Sequence, residues 1–112
     1  MKLWIDDLRP APRGYVSCRS VNQAKEAIIL AETDVEYHWK TYGYKSTRME
    51  IELIDIDHDA GEFASEGGDY IKLLDWLEET GRNYPVRIHS MNPVGVQNMR
   101  AIIQRNGWTE VR

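Results

Sequence analysis

The chain has 112 residues, 42% of them hydrophobic, which is enough for one ordinary core and leaves no room for a separate substrate domain. It carries 18 acidic and 14 basic residues, giving a net charge of −4, so it lacks the basic excess of a protein that coats nucleic acid. Bulk DNA binding is therefore not expected, whereas an enzyme acting on a nucleotide or an RNA end fits this composition.

The first elements in the chain are two short strands and a helix. An apolar run at residues 3–5 stops at two aspartates, which predicts a buried strand and not a signal peptide. Residues 15–18 predict a second strand in which Cys18 is a buried thiol; a single cysteine allows no internal disulfide. Ser20 with Gln23 predicts a helix N-cap, and the apolar spacing then predicts a helix over about residues 21–32.

Residues 33–49 predict an aromatic-rich insertion, such as a small hairpin. Its rings could pack together or stack on a base, and His38 among them is expected to be structural or at the surface. The rings are those of Tyr37, Trp39, Tyr42 and Tyr44.

The second half alternates strands and helices. Residues 51–56 and 86–88 predict strands, and a helix that ends at Gly81 lies between them. Asn92 followed by Pro93 is typical of an N-cap and first helical residue, and a last strand is predicted within residues 108–111.

This order predicts one α/β domain over residues 1–112, with a mainly parallel sheet between layers of helices. Right-handed crossovers then gather the carboxyl ends of the strands along one edge, where sites in such folds lie. No stretch approaches the ~18 apolar residues of a membrane helix, so we expect no membrane contact and a cytoplasmic location.

Reactive side chains follow three of the predicted strands. Any one of them could belong to a solvated turn, but the topology brings all of them to one edge and so predicts a site there. They are Asp6, Asp7, Asp57, His58, Asp59, His89, Ser90 and Asn92.

Four of these residues are aspartates, and their charge equals the net charge of the whole chain. Such carboxylates repel each other unless a cation neutralises them or one has a raised pKa, and oxygen ligands suit Mg²⁺ or Mn²⁺. Asp6, Asp7, Asp57 and Asp59 are therefore the predicted metal ligands. Asp55 could join them or be buried with a partner of its own.

His58 and His89 suit general acid–base chemistry, because imidazole titrates near neutral pH; each could instead be a structural histidine. Hydrolysis of a phosphodiester needs one base for water and one acid for the leaving oxygen. Phosphate could be bound by Arg9 and Arg13, and by the amides that open the last helix, at Val94, Gly95 and Val96. Arg9 and Arg13 could equally be exposed loop charges. The chain has neither a P-loop nor a dinucleotide-binding fingerprint.

Three segments, together with Met99, resemble the cyclic-phosphate-processing receiver domains, a divergent group of response-regulator receivers. They are residues 4–12, 56–61 and 89–95, which read WIDDLRPAP, IDHDAG and HSMNPVG. The resemblance implies a flavodoxin-like sheet of order 2-1-3-4-5 and an activity on cyclic phosphates, such as 2′,3′-cyclic RNA ends or cyclic nucleotides. True receivers carry a Lys after the fifth strand, but this chain ends in Thr109, Glu110, Val111 and Arg112.

Two hypotheses follow. In the first, the chain is a metal-assisted phosphoesterase with His58, His89 and Asp57 as catalytic residues, and with Arg9, Ser90, Asn92 and Gly95 binding phosphate. In the second, it is a non-catalytic or phospho-accepting receiver-like module in which Asp57 takes the phosphoryl group or a surface binds a partner. The sequence leaves the oligomeric state open.

Overall fold

A computed structural model describes residues 1–44 and 50–112 of the chain. These residues form a five-stranded, fully parallel sheet of order β2-β1-β3-β4-β5. A loop joins β1 to β2, and helices lie between each later pair of successive strands. The predicted flavodoxin-like α/β fold and its strand order are confirmed. The strands are β1 (Lys2–Ile5), β2 (Tyr15–Cys18), β3 (Leu53–Ile56), β4 (Val86–Ile88) and β5 (Glu110–Val111).

Side-chain caps open two of the helices at the predicted residues. The described residues form three α-helices and one 3₁₀ helix: α1 (Val21–Tyr42), the 3₁₀ helix (Gly61–Ser65), α2 (Ile71–Glu79) and α3 (Pro93–Asn106). The Ser20 hydroxyl accepts the amide N–H of Gln23 at the start of α1. Gly107 ends α3 with φ +66°, a left-handed conformation that glycine adopts without strain.

The prediction that the first helix ends near residue 32 is wrong, because α1 continues through Tyr42. Its core-facing positions go on past Ala31 at helical spacing, through Val35 and His38, and Lys40 pairs with Glu36 one turn earlier at 2.8 Å. The predicted insertion therefore does not begin at residue 33. Its remaining part, residues 45–49, lies outside the described residues.

The length of α1 sets the shape of the molecule. Its 22 residues span about 33 Å, whereas a four-residue strand spans about 13 Å. The helix starts at the carboxyl end of β2 and runs back past the amino-terminal edge of the sheet, consistent with overall dimensions of 45 × 29 × 24 Å.

Both faces of the central strands are covered. All four residues of β3 are buried, as predicted for a strand between two helical layers. One of them is Asp55, which together with Asp6 and Ser20 makes up the buried polar side chains of the described residues. Cys18 is buried in the core as predicted, and burial raises the pKa of its thiol to about 11.

Candidate functional site

The carboxyl ends of β1, β3 and β4 bring three side chains together. Ile5 pairs with Ile56, and Ile56 pairs with Ile88, so the next residues of the three strands stand side by side. These residues are Asp6, Asp57 and His89. One ligand atom from each lies within 4.8 Å of the others. The group lies beside the switch in strand order at β1 and β3, the usual position of a site in this fold.

His89 is held between two buried carboxylates. Its Nδ1 lies 2.7 Å from Oδ1 of Asp55, and its Nε2 lies 2.9 Å from Oδ2 of Asp6. Only 10% of the imidazole is exposed. Both ring nitrogens therefore face carboxylate oxygens, which fixes the orientation of the imidazole.

Asp55 is the residue whose role the sequence left open, and the structure places it beneath the site. Its Oδ1 faces His89, while its Oδ2 has no hydrogen-bond partner in the described part of the chain and lies 3.6 Å from the Arg87 guanidinium. Asp55 is therefore a hydrogen-bond partner of His89 and not one of the aspartates that follow the strand ends.

Trp4 also packs against His89, a contact that the sequence did not predict. Its indole lies parallel to the imidazole, with ring centroids 3.9 Å apart and planes 3° apart. Its Nε1 donates to the carbonyl of Arg9 at 3.0 Å. Trp4 stands two residues before Asp6 and in register with Asp55, so strand alternation was the available signal.

Arg9 ties the first loop to the fourth strand. Its guanidinium donates to the carbonyl of His89 at 2.8 Å, and it lies 3.9 Å from Oδ2 of Asp6. The amides of Leu8 and Arg9 both donate to Oδ1 of Asp6. Burial alone would raise the pKa of Asp6, but these amides and His89 together hold it below its usual range.

Asp7 and Asp59, two of the predicted metal ligands, lie outside the group of three. Oδ2 of Asp7 lies against Gly61, where a Cβ would approach to 2.4 Å, and its carbonyl accepts from Arg19. Asp59 is exposed and faces His58. The aspartates also affect Tyr70. Burial raises the pKa of this phenol, and the negative charges of Asp7, Asp6 and Asp57 raise it further.

His58 occupies a different pocket from His89. Its Nδ1 lies 3.0 Å from Oδ1 of Asp59, and its main-chain N–H donates to Oδ1 of Asp57. The imidazole lies against the first turn of α3, where a Cβ on Gly95 would come within 2.4 Å of the ring. The two predicted catalytic histidines therefore contact different partners.

The predicted phosphate-binding residues Ser90, Asn92 and Gly95 are engaged in opening α3. The Asn92 side chain accepts the amide N–H of Gly95 at 3.0 Å, and the Ser90 hydroxyl accepts the amide N–H of Asn92 at 3.1 Å. The amide of Val96 donates to the Asn92 carbonyl. Two of the three amides expected to be free therefore already have partners, because the N-cap that starts the helix also satisfies its first donors.

The aromatic residues in the last turns of α1 and just after it lie away from the carboxyl edge of the sheet. Tyr37, Trp39, Tyr42 and Tyr44 follow the buried half of a helix that begins at the site edge and runs away from it. Tyr42 packs near His38 and Tyr44. These rings cannot stack on a base whose phosphate lies at Asp6 and His89.

Residues 1–105 match the family described as the cyclic-phosphate processing receiver domain. The chain belongs to this family. Neither a curated protein nor a solved structure matches the chain.

In this cyclic-phosphate processing receiver domain the first residue of β5, Glu110, forms an ion pair. The Arg100 guanidinium donates to both carboxylate oxygens of Glu110 at 2.7 to 3.0 Å, and the Arg112 guanidinium lies 3.4 Å from the same carboxylate. None of the helices in the described ranges is long and apolar enough to cross a membrane.

Proposed function

We propose that this domain is a metal-assisted phosphoesterase that opens cyclic phosphates of nucleotides or RNA ends. The observation that carries the proposal is His89, held on both nitrogens by buried carboxylates beside Asp57. Such burial with fixed hydrogen bonds is what a proton-transferring group needs. In the reaction, water adds its oxygen to phosphorus, one phosphorus–oxygen bond of the ring breaks, and a phosphate monoester remains.

The donor set supports a cation bound by Asp6 and Asp57. Their carboxylates meet at the switch point, and hard oxygen ligands are those that Mg²⁺ and Mn²⁺ prefer. When bound, such a cation would neutralise phosphate oxygens and make phosphorus more electrophilic. It would also offset part of the negative charge that Asp6 and Asp57 bring together.

The two pockets support different proton-transfer roles. His89 faces acceptors on both nitrogens, so we assign it as the acid that gives its Nε2 proton to the leaving oxygen. In His58 the carboxylate of Asp59 favours a proton on Nδ1, which leaves Nε2 as the acceptor. We therefore assign His58 as the base that takes the proton from water, with Arg9 near the bound phosphate.

The test is turnover of 2′,3′- and 3′,5′-cyclic nucleotides with Mg²⁺ or Mn²⁺, followed by addition of a chelator. We expect a monoester product that forms only with the metal and is lost in Asp57→Asn, while His38→Ala, at the far end of α1, keeps the wild-type rate. No turnover of any of these compounds, together with labelling of Asp57 by acetyl phosphate, would establish the phospho-accepting module instead.

A further inference from the structure

The most exposed large apolar side chains of the described residues border the candidate site. Met91 is 85% exposed, Leu8 81% and Val94 66%, whereas the exposed aromatic residues of α1 reach 59%. We call Leu8, Met91 and Val94 the apolar rim. Exposed apolar groups that border a polar cleft are typical of a surface that binds something.

Each member of the apolar rim is fixed close to a site residue. Leu8 stands two residues after Asp6 and donates its amide to that carboxylate at 2.9 Å. Met91 stands two residues after His89. The guanidinium of Arg9 reaches the His89 carbonyl, so the loops that carry Leu8 and Met91 are bridged.

Val94 extends the apolar rim toward the second histidine. It lies in the first turn of α3, next to the glycine against which the His58 ring packs. The rim thus follows the site from the Asp6 loop to the His58 pocket.

We propose that the apolar rim contacts the base of a nucleotide whose cyclic phosphate lies at Asp6, Asp57 and His89. This inference rests on the proposed function and deepens it, because it assigns a contact to the base of the nucleotide and not only to its phosphate. Three side chains cover far less than the about 800 Å² per partner of a standard protein interface, so they suit a small apolar group such as a base. Aliphatic groups contact the apolar face of a base and not its hydrogen-bonding edge, so the apolar rim accepts both purines and pyrimidines.

The experiment compares two substrates with the same strained phosphate ring: adenosine 2′,3′-cyclic phosphate and the methyl riboside 2,3-cyclic phosphate, which has no base. The variant is the double substitution Leu8→Ser with Met91→Ser, and the matched control is Leu30→Ser, an exposed apolar residue on α1. Both changes are at the surface, and melting temperatures verify that the fold is kept.

For the adenosine compound we expect the double variant to raise KM about tenfold with kcat within about twofold, the scale of lost partly buried apolar contacts. The base-free compound should show no change, and Met91→Leu should behave as wild type. The proposal is overturned if wild type has one KM for both compounds, if the double variant affects both equally, or if Leu30→Ser has the same effect.

Failure of the proposed function gives a separate result. If neither compound is turned over, hydrolysis of 2′,3′-cyclic phosphates is excluded, and titration of adenosine 2′-monophosphate followed by the NMR signal of the Met91 methyl group tests the rim alone. A shift of this signal, with weaker binding in the double variant, supports base contact. An unmoved signal shows that the rim serves another purpose, such as binding a protein.

Discussion

The two histidines at the strand ends have the same side chain but very different surroundings. His89 lies between Asp55 and Asp6, both essentially inaccessible to solvent, and under the ring of Trp4. His58 has one carboxylate partner, Asp59, whose side chain is 62% exposed. Asn92 approaches His58 only at 3.5 Å.

This difference leads to different expectations for substitutions of the two histidines. A charge pair shielded from water interacts more strongly than one at the surface, and each partner fixes the orientation of the imidazole. His89 is therefore preorganised by the sheet itself, through residues of β1 and β3. His58 depends on one loop carboxylate and on close packing against α3, so its pocket should tolerate more change.

The largest expected effect is the loss of His89. His89→Gln should lower kcat/KM for a 2′,3′-cyclic nucleotide by about 10⁴-fold and His58→Gln by about 10²-fold, the upper and lower ends of the range for acid–base groups. The measurement is steady-state kinetics, with circular dichroism to check that the buried aspartates have not unfolded the variant. Equal losses of kcat/KM in the two variants would show that the different surroundings of the two histidines do not affect their contribution.

The next largest effect is expected from the aspartates that contact the two imidazoles. Asp55→Asn should lower kcat about a hundredfold, because the buried charge that orients His89 is lost. Asp59→Asn should cost at most about fivefold, since an exposed pair contributes under about 1 kcal/mol. A larger effect from Asp59 would show that it does more than orient His58, for example by binding the metal.

The smallest effect is expected from Gly95→Ala, which alters only the His58 pocket. The new Cβ would lie 2.4 Å from the imidazole, so the ring must shift, and kcat should fall about threefold as a much weaker version of the His58 substitution. Gln97→Ala, on the exposed side of the same helix, is the control. His89 signals in an NMR spectrum should stay in place; if they move, the two pockets are coupled.

The sequence predicted the parts of the site that follow from chain order. Asp6, Asp57 and His89 each come directly after an apolar run, and parallel strands must end at the same edge. The caps at Ser20 and Asn92 were also readable, because a short polar side chain beside a helix start forms a local hydrogen bond.

Other features depended on contacts between distant residues. The stack of Trp4 on His89 and the pairing of Asp55 with the same ring join positions far apart in the chain, so neither residue is marked locally as functional. The predicted end of α1 came too early, because the aromatic residues that follow resemble a strand pattern. The actual length of α1 follows from core-facing residues that continue at helical spacing.

The sequence by itself determined which residues reach the reactive edge, because side-chain order and strand direction are local properties of the chain. Only the tertiary structure decided which of them share a pocket: it joined His89 to Asp55 and Asp6, and gave His58 to Asp59 and Gly95. The reason is that pairing in a sheet fixes distances of a few ångströms between strands, which no spacing along the sequence specifies.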